Sequence, residues 1–420
     1  MSHLCLRAVS KRTFRARYMN QRSASSIPVA GSAPAPALRG WPLFRLGFRP
    51  FYLGAALLAC VSVPLWVAVF LGHAHTAFAL PALLWHGHEM VFGFAAGVII
   101  GFLLTGVRAW TGLETPRGPL LAALAVLWLA ARLAALTGPY ALFAVLDFAL
   151  LPVVAVLLLR ILVKAGNRRN IPLLSLLLLM AAANAVFHLS VMGVLAVPAA
   201  RPLYAGLALI LMVISVMAGR VVPVFTRNVT PGLKNSVPRP LEWSVLAATA
   251  LALAAWVCGA PAGLVGLLCA LAAVLHALRL AMWKPQVTLT RPILWILHGA
   301  YAWLPIGFAL LAAAQAGWVA EALAVHAFAV GAVGGLIIGM ITRTARGHTG
   351  RPLKTSWGET LAYALVLAAA VVRVLLPAAV PAVYTQALLL ASGLWGLAFL
   401  IYLLIYVPWL TQTRLDGKDG

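Results

Sequence analysis

The chain has 420 residues, of which 63% are hydrophobic and only 9% charged, against about 25% charged in an ordinary soluble domain. Such a chain takes the lipid bilayer as its solvent and partner. Its formal charge of +23 would suit a nucleic-acid binder, but the placement of that charge, described below, argues against nucleic acid as a partner.

Residues 1–47 are basic and rich in Arg, Ser, Ala and Pro, and the first acidic residue is Glu89. This composition predicts a disordered cytoplasmic arm. Crossing the hydrocarbon layer takes roughly 20 apolar residues, and twelve such stretches follow. They cover 48–71, 82–107, 119–136, 140–163, 171–195, 202–222, 241–258, 261–282, 292–314, 319–342, 357–376 and 381–407. The predicted fold is therefore all-α: a polytopic membrane helix bundle over 48–407, with a short cytoplasmic tail at 408–420.

With the N-terminus inside, every Lys and Arg except Arg132, Arg201 and Arg373 falls in or beside a cytoplasmic segment. That asymmetry is the positive-inside bias, and it places both termini in the cytoplasm with an even number of crossings. The cysteines Cys5, Cys60, Cys258 and Cys269 show no CxxC spacing and read as small core residues.

Spans two and ten share a pattern. His88, Gly93, Gly97, Gly101, Arg108, Thr111 and Gly112 match His326, Gly331, Gly335, Gly339, Arg346, Thr349 and Gly350 at one constant offset. Both spans run from outside to inside, so the repeat is parallel, unlike the inverted repeats of many transporters. Glycine at every fourth position leaves a smooth helix face that a neighbouring helix, or a flat cofactor, can approach closely.

Ionisable groups inside a membrane are costly and mark candidate sites. His86, His88, His188 and His326 fall in the outer half, with Glu89, Asp147 and Asn184 in the same layer, whereas His276 and His298 fall in the inner half. Several imidazoles with little acidic crowding suit haem iron or copper better than magnesium or calcium. A single intramembrane histidine is more often a hydrogen-bonded packing residue; four at one depth point to a redox metal or haem site. His86 and His88 lie about 200° apart around a helix and face different neighbours. The repeat aligns His88 with His326 as a symmetric pair, and Asn184 lies on one face with His188, placed to orient it. Glu89 reads as a protonatable group or an interfacial carboxylate. No P-loop or Gly-rich nucleotide fingerprint occurs.

The segments PLFRLGFRPF (42–51), WHGHEM (85–90), NAVFH (184–188), GRVVPVFTRN (219–228), LHGAYAWL (297–304) and TRTARGHTGRPL (342–353) resemble the NnrS family of bacterial membrane proteins. One departure is Arg108 and Ala109 before Trp110, where the family usually has Pro and Asn. The resemblance implies a twelve-span protein of the bacterial inner membrane that contains haem and copper. It also implies a role in denitrification and the response to nitric oxide. On it, His86, His88, His188 and His326 are the expected cofactor-binding set. His276 and His298 form a second metal site or part of a proton or electron path, and Glu89, Asn184 and Asp147 support the ligands.

Two rival readings fit the same residues. A proton-coupled transporter of small molecules or metals would use the histidines as relays and lack visible absorption. A scaffold with structural histidines would tolerate their substitution. The electron donor is not legible.

Overall fold

The computed structural model describes residues 40–76 and 78–418; the basic arm before residue 40 lies outside the described residues. Among these the chain is all-helical, with twelve helices long and apolar enough to cross a membrane. They are α1 (Phe48–Phe70), α2 (Ala82–Thr111), α3 (Pro119–Thr137), α4 (Tyr140–Lys164), α5 (Arg168–Val191), α6 (Ala200–Arg227), α7 (Arg239–Cys258), α8 (Ala262–Met282), α9 (Pro292–Gln315), α10 (Glu321–His348), α11 (Trp357–Ala379) and α12 (Pro381–Leu410). The chain is a polytopic membrane helix bundle. Apolar composition drives each segment into lipid, and there every backbone N–H and C=O must be satisfied within the segment, which a helix does.

Sequence neighbours from α1 to α12 pack on one another, and α12 returns to pack on α1. The buried Arg49 guanidinium on α1 fastens this closure by donating from Nη1 to the carbonyls of Leu410 (2.9 Å) and Gln412 (2.7 Å). Residues 42–47, at the end of the predicted arm, belong to this packed body. Pro42–Phe44 form a 3-10 turn, Arg45 and Leu46 are buried, and the Gly118 amide donates to Phe44 O at 2.7 Å.

The two helices that carry the shared pattern are the most enclosed. Of their most apolar windows, 78% of α2 and 72% of α10 is buried, against 28–61% in the other ten. They also share a backbone feature: α2 turns π-helical over Glu89–Ala95 and α10 over Ala327–Gly334, in each case directly after the aligned histidine. π-Helical turns are rare and concentrate at functional sites. Their other ends match too. Thr111 and Thr349 each donate to the carbonyl four residues back at 2.6 Å, and Gly112 (φ 69°) and Gly350 (φ 76°) take the left-handed conformation that closes a helix.

The glycine faces are filled by protein. A Cβ on Gly93 would stand 2.8 Å from Arg132 Nη1 and one on Gly101 3.0 Å from Phe51, while Gly331 lies under the Trp303 indole and Gly335 would strike Ala300 at 2.6 Å. Of the two possibilities raised by the spacing, these faces therefore receive neighbouring helices. Span nine, read as one stretch, breaks at Ala302 into Pro292–Tyr301 and Trp303–Gln315. Pro305 has no N–H to offer the Tyr301 carbonyl, so the ladder lapses there.

Connections alternate between two ends. The end holding residues 138–139 and 316–320 is here termed the histidine end, and the one holding 112–118 and 349–356 the basic end.

Candidate metal centre

Close to the histidine end, α2, α3, α4 and α5 bring seven polar side chains together. His88 ends the first α-helical stretch of α2, Glu89 opens the π segment, Arg132 comes from α3, Tyr140 and Asp147 from α4, and Asn184 and His188 from α5. His88, Asp147 and His188 form the centre. Each offers one ligand atom, all lie within 4.8 Å of one another, and all three residues are buried. His88 Nε2 and His188 Nε2 both face Asp147 Oδ2, at 3.2 and 3.1 Å. Asn184 lies between α2 and α4: its Nδ2 donates to Asp147 Oδ2 at 2.6 Å, and its Oδ1 is 3.2 Å from His88 Nε2. Asn184 thus orients His88 and Asp147 rather than His188 on its own helix, because its face of α5 packs toward α4 and α2.

The far nitrogens are held as well. His88 Nδ1 is 3.2 Å from Glu89 Oε1, and His188 Nδ1 is 2.9 Å from the Tyr140 hydroxyl. Such partners fix ring orientation in ligand histidines. Arg132 donates to Glu89 Oε1 at 2.7 Å and pairs with Asp147 through Nη2. Phe92, Phe143 and Phe187 wall the His88 ring, with centroids 4.8–5.3 Å away.

Charge defines what this group accepts. Two carboxylates oppose one guanidinium, and both nitrogens of His88 face oxygens of Glu89, Asp147 and Asn184. In a low dielectric an unbalanced charge is costly. Either a second proton on the imidazole or a cation between rings and carboxylate completes the site. Two imidazoles and a carboxylate are a donor set for copper, iron or zinc.

A family model described as NnrS protein matches residues 42–414, nearly all of the described chain. The chain belongs to the NnrS family. No curated protein matches it. The NnrS match begins where the packed body begins, at Pro42, and leaves the basic arm outside.

The remaining histidines of this NnrS protein fall elsewhere. The four read as one outer set separate into two places, His88 with His188, and His86 with His326. The His86 ring stacks on Trp66 at 4.2 Å, and its Nδ1 is shielded from solvent without a hydrogen-bond partner. His326 donates from Nδ1 to Ala322 O at 2.7 Å, and its Nε2 meets Arg373 Nη2 at 3.4 Å. Among the described residues His88 and His326 share no ring contact or hydrogen bond, although the repeat aligns them. The reason is rotational: neighbours, not sequence offset, decide what each histidine meets.

His276 and His298 differ from each other. His276 is saturated, with Nε2 2.9 Å from Thr249 Oγ1 and Nδ1 2.6 Å from the Tyr301 hydroxyl, which in turn accepts from Arg279 Nη1 at 3.2 Å. The Thr249 hydroxyl gives its own proton to Val245 O, so His276 Nε2–H donates to it and no lone pair is left for a metal. His298 donates from Nδ1 to Leu294 O at 3.1 Å, and its Nε2 is buried without a partner.

Arg132 and Tyr140 were not singled out as site residues by sequence reasoning. A signal existed: Arg132 and Arg373 are two of the three basic residues on the side that Lys and Arg otherwise avoid, and both meet a histidine site.

Proposed function

We propose that this NnrS-family protein lessens nitric oxide stress by binding or converting nitric oxide at a copper ion held by His88, His188 and Asp147. The observation that carries the reading is the buried His–Asp–His group itself, three convergent donors walled from water by aromatic rings. Copper suits this donor set, and when bound it supplies coordination and one-electron chemistry toward nitric oxide.

The chain's own residues set the stage. Glu89 and Tyr140 fix the outer nitrogens of the two rings, Asn184 aligns Asp147 with His88, and Arg132 holds both carboxylates in place. Nitric oxide is small and apolar enough to arrive through lipid, and no aqueous channel is required. Haem, also implied by the family resemblance, does not fit between these rings: His88 and His188 stand 5.4 Å apart by centroid with phenylalanines on the remaining sides. No step of the proposal passes through a haem. The membrane is read as the bacterial inner membrane, with both chain ends in the cytoplasm.

Metal analysis and electron paramagnetic resonance of detergent-purified protein, expressed with ample copper and haem, test the reading. Near-stoichiometric copper should be present, its signal should respond to nitric oxide, and His188→Ala should lose about tenfold or more in copper affinity. Copper-free protein, or copper retained fully by both His188→Ala and Asp147→Asn, would sink the proposal. It would leave the linked chain Tyr140–His188–Asp147–His88–Glu89 to be tested as the relay of a proton-coupled transporter.

A further inference from the structure

The second histidine place has the opposite chemistry to the first. Arg373 on α11 is buried, 6% exposed, and pairs with no carboxylate among the described residues. It touches His326 Nε2 at 3.4 Å and Tyr384, whose ring centroid is 5.5 Å from the guanidinium carbon and whose hydroxyl shares a hydrogen bond with it. His86 lies within electrostatic reach of the same guanidinium, and its shielded Nδ1 has no partner.

The correspondence with the metal centre sharpens the contrast. In each case a histidine precedes a π segment, and the next helix sends a buried arginine to the site. The helix after that carries a tyrosine near its start beside the site: His88, Arg132 and Tyr140 in one, His326, Arg373 and Tyr384 in the other. Around His88 the arginine meets Glu89 and Asp147; around His326 it meets no acid among the described residues. A guanidinium stays protonated under all ordinary conditions, and leaving it buried without a counter-charge is costly.

We propose that Arg373 and His86 bind a small planar oxyanion of the nitrite class, entering from the histidine end, with His326 accepting from Arg373 Nη2 and so positioning the guanidinium. A metal cation is disfavoured there because the guanidinium lies against His326 Nε2, the only His326 nitrogen not donating to its own helix. A planar oxyanion matches the parallel N–H groups of a guanidinium better than a spherical halide does. Access is available: His326 is only partly buried, five residues from the start of α10, and Tyr384 is 39% exposed. The inference does not depend on the copper reading.

The test is thermal unfolding of the detergent-purified full chain titrated with sodium nitrite, with sodium chloride at equal ionic strength and with short-chain phosphatidylglycerol. Nitrite should raise the melting temperature saturably and chloride should not. Arg373→Gln should raise the half-maximal nitrite concentration by about tenfold or more, the scale of a lost charged hydrogen bond. His86→Phe, which leaves the arginine in place, should weaken the response severalfold and serves where Arg373→Gln fails to fold. His188→Ala should lose copper yet keep the nitrite response, which separates this proposal from the metal reading. Equal stabilisation by chloride, stabilisation by phosphatidylglycerol alone, or an unchanged nitrite response in both Arg373→Gln and His86→Phe would each overturn it.

Discussion

Replacing Arg132 with Met tests the electrostatic account of the metal centre most directly. The guanidinium is 5% exposed and is the cation that holds Glu89 and Asp147, both buried. Its removal leaves two carboxylates facing each other across His88 with no compensating charge beyond a ring proton. Breaking a buried ion pair from one side costs about 3–5 kcal/mol, and here two pairs break together, so a loss at or above the upper figure is expected. Methionine keeps much of the aliphatic volume, so the loss reports on charge rather than on a cavity. Adding Asp147→Asn removes one stranded charge and should return part of that loss, with a coupling between the two positions of about 1–3 kcal/mol. The assay is reversible unfolding in mixed detergent micelles with increasing dodecyl sulfate, followed by tryptophan fluorescence, for wild type, both single variants and the double variant. A loss under about 1 kcal/mol for Arg132→Met, or a coupling under about 0.5 kcal/mol, would refute the argument that the arginine neutralises this group.

Other predictions concern packing and the second histidine network. Gly331→Ala places a Cβ on the Trp303 indole and should cost about 1–3 kcal/mol in the same assay, whereas Gly263→Ala, with nothing within 4 Å of its added carbon, should be neutral or slightly stabilising. His276→Phe leaves the Tyr301 hydroxyl proton without its acceptor and should lower stability by about 1–3 kcal/mol while leaving the metal content unchanged; loss of metal would show that His276 is a ligand after all.

The helix count and rough limits were legible because they depend only on local composition, which lipid reads directly. Span one, predicted at 48–71, is Phe48–Phe70. The break of α9 was missed, although Pro305 announces it. Depth was legible too, since counting along a helix places His86, His88, His188, Asp147 and Asn184 in one layer. Which of them meet was not. Helix rotation is set by side chains on other helices, and a π segment changes the phase of everything after it. Hence the glycine repeat foretold where α2 and α10 would be approached closely but not that Trp303 would be the visitor. Likewise, Asn184 and His188 share a face of α5, yet Asn184 spends its amide on Asp147 and His88.

The closure of α12 on α1 constrains how the molecule is made. Arg49 and its acceptor at Leu410 are 361 residues apart in sequence, so during synthesis α1 is made long before the two carbonyls that close the bundle on it. Until then that face of α1 is open to lipid or to an insertion chaperone. A chain truncated before α12 should therefore leave that face of α1 unpaired and be lost from the membrane faster than the longer chain.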